Sequence, residues 1–363
     1  MGRRLDKTMI QKGVEIPNTF RMKVKADCFV EYDSEKALTD IDFDALPKPL
    51  FHIGSGSNLL FTGDFHGTIL HSGIKSVDTS SAADGVVEAT VGSGVVFDDL
   101  CEWAAGQGLW GLENLSHIPG EVGASAVQNI GAYGVEVKDI ISAVRCFDIR
   151  ERKFVEFSVE DCAYGYRDSA FKHRPAKERY IVTAVKFRLS TQARPRLDYG
   201  HLRSAVEAVC VKNSGRRDSE PVNLDELTPA LVRQVVTEIR QGKLPEPSEI
   251  GSAGSFFKNP VVDKSVFEAI LKSRQEEFGA DASVPHYPAG EDQVKIPAAW
   301  LIEQCGWKGR IHKGAAVYEK QPLVIINHSG HALPSDILEL ESLIIDSVRS
   351  RFGIILRPEV DHL

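Results

Sequence analysis

Apolar residues alternate with polar ones along several short stretches of the first half, and that pattern predicts strands. The stretches are 49–53 (PLFHI), 67–72 (GTILHS), 86–92 (VVEATVG) and 180–189 (YIVTAVKFRL). Residues 143–149 and 153–159 predict a hairpin. Phe97, Leu100 and Ala104 recur at helical spacing, so a helix is expected over 96–105, stopped by Gly106 and Gly108. Residues 111–134 read as a long loop-rich stretch with five glycines, and 211–222 (VKNSGRRDSEPV) as a surface loop. Beyond it, Thr228 reads as an N-cap and Pro229 suits the first helical position, with Val232, Val235, Val236 and Ile239 on one apolar face. Residues 265–279 and 297–305 predict two further helices. The clearest helix is expected over 335–352, capped by Ser335, lined by Ile337, Leu340, Ile344, Val348 and Phe352, and ended by Gly353. A short strand at 354–357 is expected to close the chain.

Composition narrows the class. With 363 residues, two or three domains are expected, large enough to need no disulfide or metal staple. Lys plus Arg is 43 and Asp plus Glu is 51, a net charge of −8, which disfavours general nucleic-acid binding but leaves room for a local basic pocket. The six cysteines at 28, 101, 146, 162, 210 and 305 contain no CxxC pair, so structural zinc and dithiol redox chemistry lose their usual signature. The first twenty residues lack the apolar core of a secretory signal, and no run approaches the roughly 18 apolar residues of a membrane span. A reduced, soluble, cytoplasmic protein with no metal is expected.

The candidate chemistry lies in a few segments. No Ser is flanked by glycines as in a nucleophile elbow, and neither HExxH nor GxxxxGK[ST] occurs. Two GxG pairs, at 54–56 and 92–94, lack the third glycine of a dinucleotide fingerprint, with Leu59 and Phe97 in its place. Segment 54–60 (GSGSNLL) offers unobstructed backbone N–H groups at Gly54, Ser55, Gly56, Ser57 and Asn58, the makings of an anion nest for a pyrophosphate. In segment 111–134, Gly120, Gly123, Ser125, Gln128, Asn129 and Gly131 offer a second surface that a flat cofactor could approach closely. Each segment alone also reads as a structural turn. Tyr164, Tyr166, Arg167 and Asp168 cluster in DCAYGYRDSAFK, where a strand edge with a surface ion pair is the plainer reading. GSAGSFFKNP at 251–260 brings Ser255, Lys258 and Asn259 beside Phe256 and Phe257, which read as core. Glu359 stands in a C-terminal RPEV, where a solvated charge is the plainer reading.

In this order the segments resemble one family, UDP-N-acetylenolpyruvoylglucosamine reductase, also called UDP-N-acetylmuramate dehydrogenase. The resemblance runs from PNTF at 17–20 to RPEV at 357–360. It is carried by GSGSNLLF, GLENLSHIPGEVGASAVQNIGAYG, YGYRDSAFK, KLPEP, GSAGSFFKNP, AAWLIEQCGWKG and QPLVIIN. It implies a flavoenzyme of bacterial peptidoglycan precursor synthesis that uses FAD and NADPH. The implied fold is α+β, a vanillyl-alcohol-oxidase-type (PCMH-like) FAD-binding fold in two lobes with an α+β substrate-binding domain. On this basis 1–72 and 73–195 are expected to be the two lobes, 196–345 the substrate domain, and 346–363 to pack back on the first lobe.

Residue by residue, the resemblance implies Arg167, Ser255 and Glu359 as catalytic. It implies Tyr199, Lys243, Asn259 and, one turn before Lys243, Arg240 as substrate contacts. LDYGHL at 197–202 resembles the extra loop of the family's longer subtype, whose Tyr is Tyr199 here. Three positions depart from the family pattern: His117 in LSHIPG, Val317-Tyr318 before QPLVIIN, and Asp361 after PEV. In the implied reaction Arg167 meets the substrate carboxylate bidentately and Ser255 gives a proton to its alpha carbon. Glu359 is expected either to be protonated or to position a cation or water, since a carboxylate would repel the developing enolate. Small molecules are the expected partners, with no nucleic acid, membrane or obligate protein partner. Two rivals stay open: an oxidase of the same fold class with flavin bound covalently through His52 or His66, and a non-catalytic nucleotide-binding protein.

Overall fold

The computed structural model describes residues 7–81, 83–214 and 227–363. By backbone proximity the chain divides into two units built from interleaved segments. The first holds residues up to Ile16, Lys25–Ser55 and Phe65–Gln241, and the second Pro17–Val24, Gly56–Asp64 and Gly242–Leu363.

The first unit contains two sheets. In one, the strands run in the order Thr8–Glu15, Lys25–Tyr32, Phe65–Ser72, Leu50–Ile53. Its first pair is antiparallel, and Phe65–Ser72 is parallel to both neighbours. The other is antiparallel throughout, in the order Lys153–Ser158, Ile141–Asp148, Tyr180–Ser190, Val86–Gly92, Val77–Ser81. Side chains of both sheets share one core, in which Val30, Tyr32 and Leu70 pack with Phe147 and Ile181 under the helix Glu35–Thr39. Polar ties reinforce the join: Arg145 donates to both carboxylate oxygens of Glu35 at 2.7 and 3.0 Å, and Thr183 donates to Glu35 at 2.9 Å. A larger core buries Phe97, Leu100 and Ala104 of the helix Phe97–Gly106 and Val122 and Ala126 of the helix Val122–Gln128. A third collects Val206 of the helix Leu202–Ser214 with Val232, Val235 and Val236 of the helix Pro229–Lys243.

In the second unit an antiparallel sheet runs Gly251–Ser255, Val324–Asn327, Ala315–Val317, Ile311–His312. A smaller one runs Val261–Asp263, Gln293–Lys295, Tyr287–Pro288. The helix Pro334–Phe352 buries Ile337, Leu340, Ile344 and Val348, as its periodicity predicts. The pair Asp361–His362 lies parallel to Leu59–Leu60, and the N–H and hydroxyl of Thr62 both donate to Leu363 O.

Most expected elements appear within a residue or two of their predicted bounds. Thr228 does cap its helix, its hydroxyl accepting from Leu231 N at 3.1 Å. Four expectations need correction. Residues 211–214 are the last turn of Leu202–Ser214 rather than loop; the remainder of the expected loop, 215–222, lies outside the described residues. Residues 111–134 contain the helix Val122–Gln128. Ser335 is not the cap of the long helix: Pro334 opens it, Leu333 takes the cap position, and the Asp336 carboxylate accepts the Leu333 N–H at 3.0 Å. Residues 354–357 form no strand. Ile354 and Leu356 are buried as the alternation implies, but pairing begins only at the Phe257–Pro358 bridge, and Pro358 brings no N–H to continue a ladder.

Glu341, on the long helix, is buried, and burial pushes its carboxyl up to about 7. His362 Nε2 lies 3.3 Å from its Oε2, yet burial holds the imidazole below its ordinary value. Both shifts favour a neutral contact over an ion pair. A carboxyl raised in the folded state costs stability as pH climbs from its unfolded value of about 4.3 through 7. Glu341→Gln should therefore stabilise the protein by about 2–3 kcal/mol at pH 8 and by little at pH 5, as read by thermal unfolding at the two pH values.

Candidate active site

In the first unit the loop that begins at Gly54 follows the parallel strand Leu50–Ile53, a usual place for ligands in such sheets. Gly54 rests on the start of the helix Val122–Gln128. A Cβ added there would stand 3.2 Å from Glu121 Oε2 and 3.3 Å from Ala124 Cβ. The structure thus brings the beginning of the first glycine-rich segment read from the sequence against the middle of the second. Ser55 closes this unit's share of the loop, and Gly56, Ser57 and Asn58 belong to the second unit.

The polar side chains of 120–131 are largely used within the protein. Ser125 donates to Val122 O at 2.7 Å, and Gln128 Oε1 accepts from Lys172 at 2.8 Å. Asn129, buried with φ +45, donates to Glu136 and to Gly165 O and accepts from Lys138 N. These residues knit 122–138 to 165–172, so what they present to a ligand is mainly backbone. Gly120 O accepts from Phe97 N at 3.0 Å. Gly123 is small for a packing reason, since a Cβ there would lie 2.7 Å from Ser93 Cβ on buried backbone.

Arg167 sits in a tight turn closed by reciprocal bonds between Gly165 and Asp168, with φ +53. Its guanidinium donates to Gly131 O at 2.6 Å and Asn129 O at 3.3 Å. Gly131 leaves room for it, since a Cβ would come within 3.0 Å of Arg167 Nη1. Asp168 pairs with His173 at 2.8 Å.

Arg240, half-buried on the helix Pro229–Lys243, donates from Nε to His117 O at 3.1 Å. Burial, with the charge of Arg167 adding to it, holds Arg240 below the usual guanidinium range, against the opposing influence of Tyr133 and Asp98. Arg167, Arg240 and Tyr133 therefore share one electrostatic neighbourhood. The Tyr133 ring meets Tyr199 edge-on at 6.1 Å, and Tyr199 is 44% exposed.

Two supports of this cluster escape a sequence reading. Asp98 accepts both Arg233 (2.7 and 3.2 Å) and the His117 N–H, thereby fixing the loop that anchors Arg240. His117 has φ +58, and its bonds to Asp98 and Arg240 are made by its backbone rather than by the side chain that departs from the family pattern. Tyr133 is the second, and its one mark in the sequence is the aromatic within NIGAYG.

In the second unit Ser255 ends the strand Gly251–Ser255. A register irregularity precedes it, centred on Gly254 at φ +70, a conformation that favours glycine. The next residues run antiparallel to 357–359: Glu359 N donates to Phe256 O at 2.8 Å, and Lys258 N to Arg357 O at 2.9 Å. Asn58 Nδ2 donates to Glu359 O at 3.1 Å, and Asp361 N to Asn58 O at 3.0 Å. Main-chain bonds and the Asn58 side chain thereby assemble the segments that carry Ser255, Glu359 and Asn58, and the Asp361 departure lies where its backbone makes such a bond. Phe256 and Phe257 are fully buried, as expected of core. Asn259 Oδ1 accepts from Ala298 N at 2.9 Å, capping the helix Ala298–Gln304. Lys243 is exposed, and Tyr318 packs beside Val324 and Ile326.

All six cysteines are free. His52 is directed at the Tyr32 hydroxyl (3.0 Å) and His66 at Asp27 (3.3 Å), neither within the 54–58 loop. Among the described residues no cluster of His, Cys, Asp or Glu is arranged to hold a metal, and no helix is long and apolar enough to cross a membrane.

Comparison with known proteins fits this geometry. The profile of the UDP-N-acetylenolpyruvoylglucosamine reductase C-terminal domain matches residues 246–363, and that of an FAD binding domain matches 27–157. The UDP-N-acetylenolpyruvoylglucosamine reductase of Bacteroides fragilis is 46% identical over 95% of this chain and 97% of its own. That of Porphyromonas gingivalis is 40% identical over 95% of this chain and 96% of its own. The crystal structure of UDP-N-acetylenolpyruvylglucosamine reductase from Thermus caldophilus superposes with a TM-score of 0.64 at 21% identity, covering 99% of each chain, so the fold is shared. The α+β, FAD-binding fold class expected from the sequence is the one observed. By its identity to these relatives over nearly its whole length, the chain belongs to the UDP-N-acetylenolpyruvoylglucosamine reductase family.

Proposed function

We propose that this chain reduces the enolpyruvyl ether of UDP-N-acetylglucosamine to UDP-N-acetylmuramate for peptidoglycan synthesis, with FAD as cofactor and NADPH as reductant. The observation that carries the reading is the Arg167 cradle, a guanidinium fixed by two backbone carbonyls and grouped with Arg240 and Tyr133. Two cations in one half-buried neighbourhood of an acidic chain call for a multiply anionic ligand.

The residues present suit FAD. The loop 54–58 combines bare glycine backbone with the hydroxyls of Ser55 and Ser57, a donor set for a diphosphate, and Gly54 lies directly on the helix start at Glu121 and Ala124. Gly54, Ser55, Gly56, Ser57 and Asn58, with the backbone of 120–131, would hold it. When bound, the flavin supplies the hydride that saturates the substrate's vinyl group.

The chain's own residues do the rest. Arg167 meets the substrate carboxylate and stabilises charge developing next to it. Ser255 gives its hydroxyl proton to the alpha carbon. Glu359, fixed through its backbone at Phe256 and Asn58, orients the groups around that proton transfer. Tyr199, Arg240, Lys243 and Asn259 receive the UDP moiety. In functional terms 1–72 and 73–195 serve as the FAD-binding lobes and 196–345 as the substrate domain; the pairing of 361–362 with 59–60 supports the return of 346–363 to the first lobe. The reaction takes place in the cytoplasm on small molecules, with no obligate protein partner.

The test is an NADPH oxidation assay on the purified, flavin-loaded protein. Sustained oxidation is expected only with the enolpyruvyl ether present, and acid precipitation should release the flavin intact. Turnover with oxygen as acceptor, or flavin that stays with the precipitate, would favour an oxidase instead.

A further inference from the structure

His71 lies on the strand Phe65–Ser72, in register with Glu31 on one neighbouring strand and with Ile53, the residue before Gly54, on the other. Its Nδ1 is 2.9 Å from Glu31 Oε2 and its Nε2 is 3.0 Å from Glu121 Oε1. A carboxylate only accepts hydrogen bonds, so the ring must donate from both nitrogens, which only the imidazolium does. The other oxygen of Glu121 is the one that crowds Gly54, 3.2 Å from where a Cβ would stand. A carboxylate therefore touches the loop assigned to the FAD diphosphate, and its charge is answered by a histidine.

We propose that the imidazolium of His71, clamped between Glu31 and Glu121, neutralises the carboxylate beside Gly54 and thereby sets how tightly the loop holds the diphosphate of FAD. The inference rests on the FAD reading above and adds to it a positioning residue and a pH linkage. The titratable groups that act on His71 are Glu31 on one neighbouring strand, His52 on the other, and Glu121 at the helix start. His52 does not compete for the proton, since burial and then the His71 charge push it down to about 3. Burial also works against the charge on His71, but the two carboxylates outweigh it and raise the imidazole above its ordinary value. The imidazolium is thus present at neutral pH and lost as pH rises through that raised value. Its loss leaves Glu121 uncompensated beside an anion site, so FAD binding weakens with rising pH.

The test is titration of the apo-protein with FAD, followed by flavin fluorescence at pH 6 and pH 9. For the native protein the dissociation constant should rise by about tenfold between them. His71→Gln should bind about as weakly at pH 6 as the native protein does at pH 9, with no pH dependence. Glu121→Gln should bind tightly at both, because the anion itself is gone. The second measurement needs no variant: NMR titration of the His71 ring in the apo- and FAD-loaded protein. By reciprocity, a tenfold linkage requires FAD to raise its pKa by about one unit. A native pH profile retained in His71→Gln, or a His71 pKa indifferent to FAD, overturns the inference while leaving FAD binding intact. Failure of the native apo-protein to take up FAD at either pH overturns the FAD reading itself.

Discussion

Ser255→Ala should leave reduction of the bound flavin by NADPH near the native rate and slow its reoxidation by the enolpyruvyl ether about 100- to 10,000-fold. That is about 3–5.5 kcal/mol in the barrier of one half-reaction. The asymmetry follows from where the proton is needed, since hydride delivery from NADPH places none on the substrate's alpha carbon. The structure makes the test clean. Phe256 and Glu359 hold the segment after Ser255 through main-chain bonds that alanine preserves. Among the described residues none is hydrogen-bonded to the Ser255 hydroxyl, so its removal should cost little stability. Ser255→Cys should recover part of the rate, because a thiol can still donate. Stopped-flow absorbance of each half-reaction decides the matter: equal slowing of both, or an unaffected reoxidation, removes Ser255 from the role of acid.

Gly123→Val should damage the protein before any cofactor is involved. In the sequence this glycine reads as a place for close approach of a cofactor. The structure supplies a nearer neighbour, Ser93, whose Cβ would lie 2.7 Å and whose carbonyl oxygen 3.3 Å from a new Cβ. Ser93 is buried, its hydroxyl donates to Ser72 at 2.7 Å, and its carbonyl already accepts the Gly123 N–H, so it has little freedom to retreat. Forcing a branched side chain into such a contact costs about 3 kcal/mol, more than the roughly 1 kcal/mol gained by replacing a helical glycine. Melting of the apo-protein should fall by about 3–5 °C. An unchanged apo midpoint combined with lost FAD affinity would return Gly123 to a purely cofactor-facing role.

The strands with a buried face were legible because burial leaves a period of two, as in Tyr180–Ser190. Val77–Ser81 was not, since all five of its residues are exposed and its pairing with Val86–Gly92 rests on backbone alone. The residues proposed to react were marked in the sequence by the motifs YGYRDSAFK, GSAGSFFKNP and RPEV. Their supports were not, because Asp98 and Arg233 stand 135 residues apart, and His71 and Glu121 stand 50 apart. An isolated Asp or His in a sequence carries no sign of such a partner. Asn129 and Ser125 illustrate the opposite limit. Their donor groups suggest ligand contacts, while the fold spends them on internal bonds.

The bond from Asn58 to Glu359 spans 301 residues, and that from Asn327 to Phe20 spans 307. Both belong to the second unit, whose early pieces, 17–24 and 56–64, are interruptions in the sequence of the first. On a ribosome adding about 5–20 residues per second, Asn58 waits roughly 15–60 seconds for the segment that completes its bonding. All of the first unit has been made by residue 241, before that segment. Synthesis order thus separates the two assemblies in time: the carbonyls of Asn129 and Gly131 that receive Arg167 are made before Ser255 and Glu359.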